Sequence, residues 1–206
     1  MDAAKLLKEL NGFADFYKGL GAEPKFQSLV QSLKEEIALS EQKKAGKADR
    51  FKGAVKFAKL AKKEMKYSRP GVAGAYIGES GKQYIMIAAM VVRYDNPYDG
   101  LVEAEEGTRP NVDKVVDTYD SKLPAKLPSI SELKTELKIN KAEGNLQGGV
   151  SLTKVGESLY NTEYLIQMIE AVEPSKAYFA TAGQNAVIVL IGDGAQGALL
   201  PVRPKR

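Results

Sequence analysis

The hydrophobic pattern of this chain changes at about residue 70, and that change most limits the folds available to it. Before it, apolar residues recur every three to four positions and predict three helices: one before residue 19, one over about 26–43 and one over about 47–66. Pro70 prevents the third helix from continuing. Short apolar runs bounded by turn residues follow and predict strands. The sequence therefore predicts an α+β fold, with a helical N-terminal third followed by antiparallel sheet.

A helix followed by strands occurs twice, at 47–105 and at 160–202, without an exact sequence repeat. Ser129 or Ser131 is expected to cap a short helix, and Asn161 a later one. We expect a helical segment over 1–46 and an α+β domain over 47–206, with a possible subdivision near 108–128. The strands are predicted at 71–78, 83–95, 100–107, 176–181, 187–191 and 198–202.

Two glycine-rich stretches imitate nucleotide-binding motifs. Gly192, Gly194 and Gly197 have the G-x-G-x-x-G spacing, but only nine residues follow them, too few for a crossover helix and a second parallel strand. The stretch "GESGKQ" has Gln83 where a phosphate-binding loop needs Ser or Thr. Both stretches are therefore predicted to be hairpin turns.

The chain contains no cysteine and no histidine. Disulfides, thiolate chemistry, zinc sites and Ser–His–Asp triads are therefore excluded within one chain. We expect no catalytic residues, no metal and no cofactor; the alternative is an enzyme using lysine or carboxylates, for instance around Asp95, Asp99 or Asp193. No apolar run is long enough to span a bilayer. We expect a cytoplasmic protein, of a cell or of an infected cell.

Positive charge is concentrated in residues 42–69, which hold eleven basic and two acidic residues. Five lysines there recur at spacings of four and three, within an arc of roughly 80° on one helix face. Contact with a polyanion is favoured over a plain solvated face or a membrane surface, because aligned like charges repel and the opposite face is largely alanine. The predicted DNA-binding residues, named here the lysine row, are Lys52, Lys56, Lys59, Lys63, Lys66 and Arg69.

The C-terminal stretch resembles the end of a DNA sliding clamp, closest to the beta subunit of bacterial DNA polymerase III. The matching pieces are Tyr160-Asn161, "YLIQMI" and the terminal "LLPVR". Upstream, "YSRPGVAGAYIGESGKQYIMIAAMVVRYD" is similar to a clamp segment that opens a strand pair, and "RPNVDKVV" is faintly similar to an interdomain segment. The resemblance covers roughly 67–95 and 158–203.

The resemblance implies a sliding-clamp-like domain, with antiparallel sheet outside and helices on one face toward duplex DNA. It implies a non-enzymatic processivity or docking factor, a homo-oligomer, sequence-independent DNA contact and a cleft for peptides of a polymerase or other replication proteins. The alternative is a monomeric α+β adaptor of a phage or mobile element, whose helical N-terminal third binds a protein partner. The residues that the resemblance assigns to the cleft are Ala198, Leu200, Pro201, Val202 and Arg203.

Overall fold

The structure, a computed structural model, describes residues 3–16, 19, 21, 23–66, 69–107, 109–110, 112 and 123–203. The proposed subdivision near 108–128 falls mostly outside these residues. The helical N-terminal third is confirmed, and Ser129 is the residue that caps α4. The helices are α1 (Ala3–Phe16), α2 (Pro24–Lys44), α3 (Ala48–Met65), α4 (Ile130–Glu143) and α5 (Thr162–Val172).

Seven strands form one antiparallel sheet, in the order β1-β2-β3-β9-β8-β7-β4, and β5 and β6 form a separate hairpin. The α+β prediction is therefore confirmed. The strands are β1 (Ala75–Ile77), β2 (Gln83–Ile87), β3 (Met90–Tyr94), β4 (Leu123–Pro124), β5 (Leu152–Val155), β6 (Ser158–Asn161), β7 (Lys176–Phe179), β8 (Ile188–Gly192) and β9 (Ala195–Leu199).

The sheet is built from two similar halves that meet between β3 and β9. In each half one helix precedes a three-stranded meander: α3 precedes β1–β3, and α5 precedes β7–β9. Both helices pack on the sheet and against each other, which places them side by side on one face. The repeated order of helix and strands is thus a real structural repeat, and the core lies between this helix pair and the sheet.

Two strand predictions were wrong in detail. The run at 83–95 is two strands, because the chain turns at Ala88 and Ala89, where no glycine, proline or asparagine marks a turn. The stretch at 100–107 is not a strand; only Glu103 forms an isolated bridge, to Ala75. The last strand ends at Leu199, three residues before the predicted end.

The glycines that imitate a dinucleotide fingerprint serve the hairpin of β8 and β9. Gly194 has φ 64° and forms the two-residue turn with Asp193. A Cβ atom on Gly192 would lie 2.2 Å from the Val172 carbonyl oxygen, so a side chain there would collide with the end of α5. The stretch 78–83 is likewise the turn between β1 and β2, closed by the Gly78 amide donating to the Lys82 carbonyl at 2.9 Å.

The outer edges of the large sheet are partly closed. At the β1 edge, Ala75 exchanges backbone hydrogen bonds with residues 102–104, of 2.7 and 2.8 Å. At the other edge β4 has two residues, one of which is Pro124, which has no amide hydrogen. Both edges therefore offer few free backbone groups to a strand of another subunit.

Candidate nucleic-acid interface on helix α3

Helix α3 separates an apolar face from a basic one, as its sequence predicts. Phe57 and Ala58 are fully buried against the sheet and α5. The six residues of the lysine row are all exposed. The row therefore lies on the outer face of the helix pair, on the side of α3 away from the sheet.

Three lysines of the row are paired with carboxylates of the protein itself. One carboxylate is on α3, and the others come from α2 and α5, far away in sequence. The N–O distances are 2.7 Å for Lys52–Asp49, 2.9 Å for Lys56–Glu170 and 2.8 Å for Lys59–Glu35.

These pairs lower the net charge of the row but hold its lysines weakly. The lysine side chains are 52–60% exposed, and exposed ion pairs contribute about 0–1 kcal/mol because water and salt screen them. Within the described part of the chain, neither Lys63 nor Arg69 has a carboxylate partner. A polyanion could therefore contact the row at little cost in broken ion pairs.

Glu170 lies between two lysines from different helices. Its side chain is 16% exposed, and its two oxygens contact Lys56 of α3 at 2.9 Å and Lys134 of α4 at 2.6 Å. Desolvation by itself raises the pKa of Glu170, but hydrogen bonds from Lys134 and Lys56 outweigh it, so the pKa lies below its usual value. Glu170 is therefore a carboxylate at neutral pH and joins α3, α5 and α4.

A second contact between the helix pair is neutral at pH 7. The Tyr164 hydroxyl of α5 donates to both carboxylate oxygens of Glu64 on α3, at 3.1 and 3.0 Å. Burial, and then the hydrogen bond to Glu64, raise the pKa of Tyr164 to about 12. This contact occupies the acidic residue that follows Lys63 in sequence.

Arg50 is part of the basic segment but not of the exposed face. It is 6% exposed, its Nε donates to the Tyr98 hydroxyl at 2.8 Å, and its Nη1 donates to the Asp193 carbonyl. Lys47 pairs with the carboxylate of the same Asp193 at 2.8 Å. Arg50 therefore connects α3 to two loops of the sheet.

The residues assigned to a peptide cleft lie at and beyond the end of β9. Ala198 is buried in β9, which pairs with β3 and β8 and is thus a central strand. Leu200 is 45% exposed, and its amide donates to the Ala89 carbonyl at 2.8 Å. Val202 donates to the Leu159 carbonyl of β6 at 2.7 Å. The exposed part of the predicted cleft is therefore residues 200–203.

The carboxylates considered for an enzyme do not form a common site. Asp95, Asp99 and Asp193 are exposed and belong to different loops. Across the described ranges, no group of three or more acidic side chains is placed to hold a metal ion. No helix in those ranges is long and apolar enough to cross a membrane.

The sequence analysis missed a second line of lysines, on α4. Lys134, Lys138 and Lys141 recur at spacings of four and three, and all three are exposed. Lys134 and Lys141 reach Glu170 and Glu163 of α5. The spacing was visible in the sequence, but its closeness to the lysine row depends on how α4 packs.

No family model and no curated protein matches this chain. Two solved structures are partly similar. One is the beta chain of DNA polymerase III from Streptococcus pneumoniae, at 11% identity and a TM-score of 0.34, covering 59% of this chain. The other is the Helicobacter pylori beta clamp bound to a DNA ligase peptide, at 8% identity and a TM-score of 0.34, covering 60%. The chain spans 41% of the length of each.

Proposed function

We propose that this protein is a non-enzymatic, sliding-clamp-like docking factor that contacts duplex DNA through the lysine row of α3, without reading sequence. The observation that carries the proposal is an exposed row of cations whose ion pairs are all at the surface. Lysine ammonium groups bind phosphates as point charges, and phosphate contacts give affinity without base recognition.

The position of the row supports this proposal. It lies along the outside of a helix that is fixed by buried residues on its opposite face, such as Phe57. A rigid helix holds its ammonium groups at a constant spacing, so that binding DNA costs little ordering of the backbone.

The double substitution Lys59→Gln with Lys63→Gln tests the proposal. Loss of two phosphate contacts is expected to weaken binding to a random-sequence duplex about tenfold and to lower the slope of log K against log salt by up to about two. Glutamine is preferred to glutamate because a new carboxylate at position 59 would repel Glu35. Fluorescence anisotropy over a salt series gives both quantities.

The matched control is Lys154→Gln with Lys176→Gln, which removes the same charge from exposed positions on β5 and β7. We expect this variant to keep most of the affinity and the slope. Equal losses in the two variants would mean that only net charge matters, and the row would have no specific role.

Encirclement of DNA would require a homo-oligomer, which the proposal includes. Because both edges of the large sheet are partly closed, assembly would need surfaces besides the strand edges. Analytical ultracentrifugation and retention on circular compared with linear duplexes test it. A strict monomer that leaves both DNA forms equally would restrict the proposal to open, non-encircling contact.

Peptide docking by replication proteins is the second part of the proposal. The exposed Leu200, beside the partly exposed Pro201 and Val202, is the apolar group available to a partner at the end of β9. Leu200→Ser is expected to abolish binding of a polymerase peptide while leaving DNA affinity unchanged, in a surface plasmon resonance assay with both ligands. Unchanged peptide binding would remove Leu200 from the docking surface.

The adaptor function is favoured by one observation at the N-terminus. Phe13 of α1 is 56% exposed and Leu29 of α2 is 46% exposed, although α1 and α2 pack together. Deletion of residues 1–22 is expected to spare DNA affinity and, if this region binds a protein partner, to abolish that interaction in a co-purification assay.

A further inference from the structure

A cavity of about 630 Å³ lies over α5, between α3 and the start of α4. Lys52 and Lys56 line it from α3, Lys134 lines it from α4, and Glu170 lines it from α5. The three lysines are exposed, so an ion entering from solvent can reach them.

Within this cavity, one carboxylate bridges two ammonium groups from separate helices. Glu170 Oε2 lies 2.9 Å from Lys56 Nζ, and Glu170 Oε1 lies 2.6 Å from Lys134 Nζ. Two cations that converge on the two oxygens of one anion form an arrangement that a phosphodiester, with its two charged oxygens, can also satisfy. We propose that this cavity is a phosphodiester-binding subsite for duplex DNA, in which Lys56 and Lys134 bind a backbone phosphate in place of Glu170.

The subsite extends the DNA path beyond the lysine row. Lys56 belongs to both, and Lys134 begins the line of lysines on α4, where Lys138 and Lys141 follow on the same helix face. Duplex DNA presents phosphates along two strands, whereas a free phosphate can occupy only one position. A duplex that contacts α3 and α4 together therefore gains more from the subsite than a single ion does.

In this proposal Glu170 competes with DNA inside the protein. Removing its charge frees both lysines and removes a carboxylate that repels phosphate. Glu170→Gln is expected to strengthen duplex binding about threefold to tenfold and to make the salt slope steeper. Lys134→Gln is expected to weaken duplex binding about threefold, and in the double variant it should cancel most of the gain from Glu170→Gln.

The charge-matched control is Glu157→Gln, at an exposed position in the turn between β5 and β6. It changes net charge by the same unit outside the cavity, and we expect less than a twofold gain. Thermal melting of each variant shows whether the fold is retained. Should Glu170→Gln fail to fold, Lys134→Gln alone decides the question, because Lys134 is on the surface and its loss leaves no buried charge.

Titration with inorganic phosphate distinguishes the two sources of the ligand. A gain for the duplex that exceeds the gain for inorganic phosphate supports the subsite. Equal gains would identify a site for small anions and overturn the assignment to DNA.

The inference rests on the proposed DNA contact, and the results separate the two. If neither the parent protein nor Glu170→Gln binds a duplex, both proposals are overturned. If the parent protein binds and the row variant binds less, but Glu170→Gln and Lys134→Gln match their control, only the subsite is overturned. Binding by Glu170→Gln but not by the parent protein would support the subsite in its strongest form, with Glu170 as an internal inhibitor.

Discussion

Gly53→Ala is expected to destabilise this protein by about 3 kcal/mol, although alanine is the better helix former. Gly53 lies where α3 crosses α5, and a Cβ atom there would be 2.2 Å from the Glu170 carbonyl oxygen and 2.7 Å from the Ala171 nitrogen. Because both are backbone atoms, no side-chain rotation can make room, and the two helices would have to separate. The loss should appear in the urea midpoint of unfolding.

The control for this prediction is the same substitution in another helix. Gly12 lies within α1, and a Cβ atom added to it would meet nothing within 4 Å. Gly12→Ala should therefore stabilise the protein slightly, by up to about 1 kcal/mol. If Gly53→Ala were as mild as Gly12→Ala, the close helix crossing described above would be incorrect.

The crossing also matters for the proposed DNA contact. Gln167 Nε2 of α5 donates to the Gly53 carbonyl at 3.2 Å, so polar and steric contacts fix the same point. Lys52 and Lys56 are neighbours of Gly53 in sequence. A displaced crossing would move these lysines relative to Glu170, and DNA affinity should then fall together with stability.

Arg50→Met is expected to lower the free energy of unfolding by about 2–3 kcal/mol and to leave the salt slope of DNA binding unchanged. Methionine retains most of the apolar stem but cannot donate to the Tyr98 hydroxyl or the Asp193 carbonyl. Both acceptors lose a charged donor in a buried region, while no exposed cation is removed from the lysine row. Chemical unfolding and a salt series measure the two effects separately.

Lys47→Gln is the matched control for Arg50. Lys47 contacts the same residue, Asp193, but through its exposed carboxylate. A surface pair contributes little, so we expect a loss below about 1 kcal/mol. A change of salt slope in Arg50→Met equal to that of a row lysine would contradict the structural role given to Arg50.

Local patterns explain why much of the fold was predictable. Each helix in the N-terminal third is marked by apolar spacing, and α5 begins at Asn161, whose side chain accepts from the amides of Glu163 and Tyr164. The hairpin turns have glycine at positive φ. The turn at Ala88 and Ala89 was missed because its residues have no turn preference and continue an apolar run.

The sequence by itself determined that α3 is a helix with one alanine-rich face and one lysine-rich face, because that separation depends only on spacing along the chain. It also excluded histidine and cysteine chemistry by composition. Only the tertiary structure decided which carboxylates lie beside the lysines. Glu35 and Glu170 are 24 and 114 residues from their lysine partners. Charge neutralisation acts through space, so a count along the chain could not include them, nor reveal that Arg50 is buried.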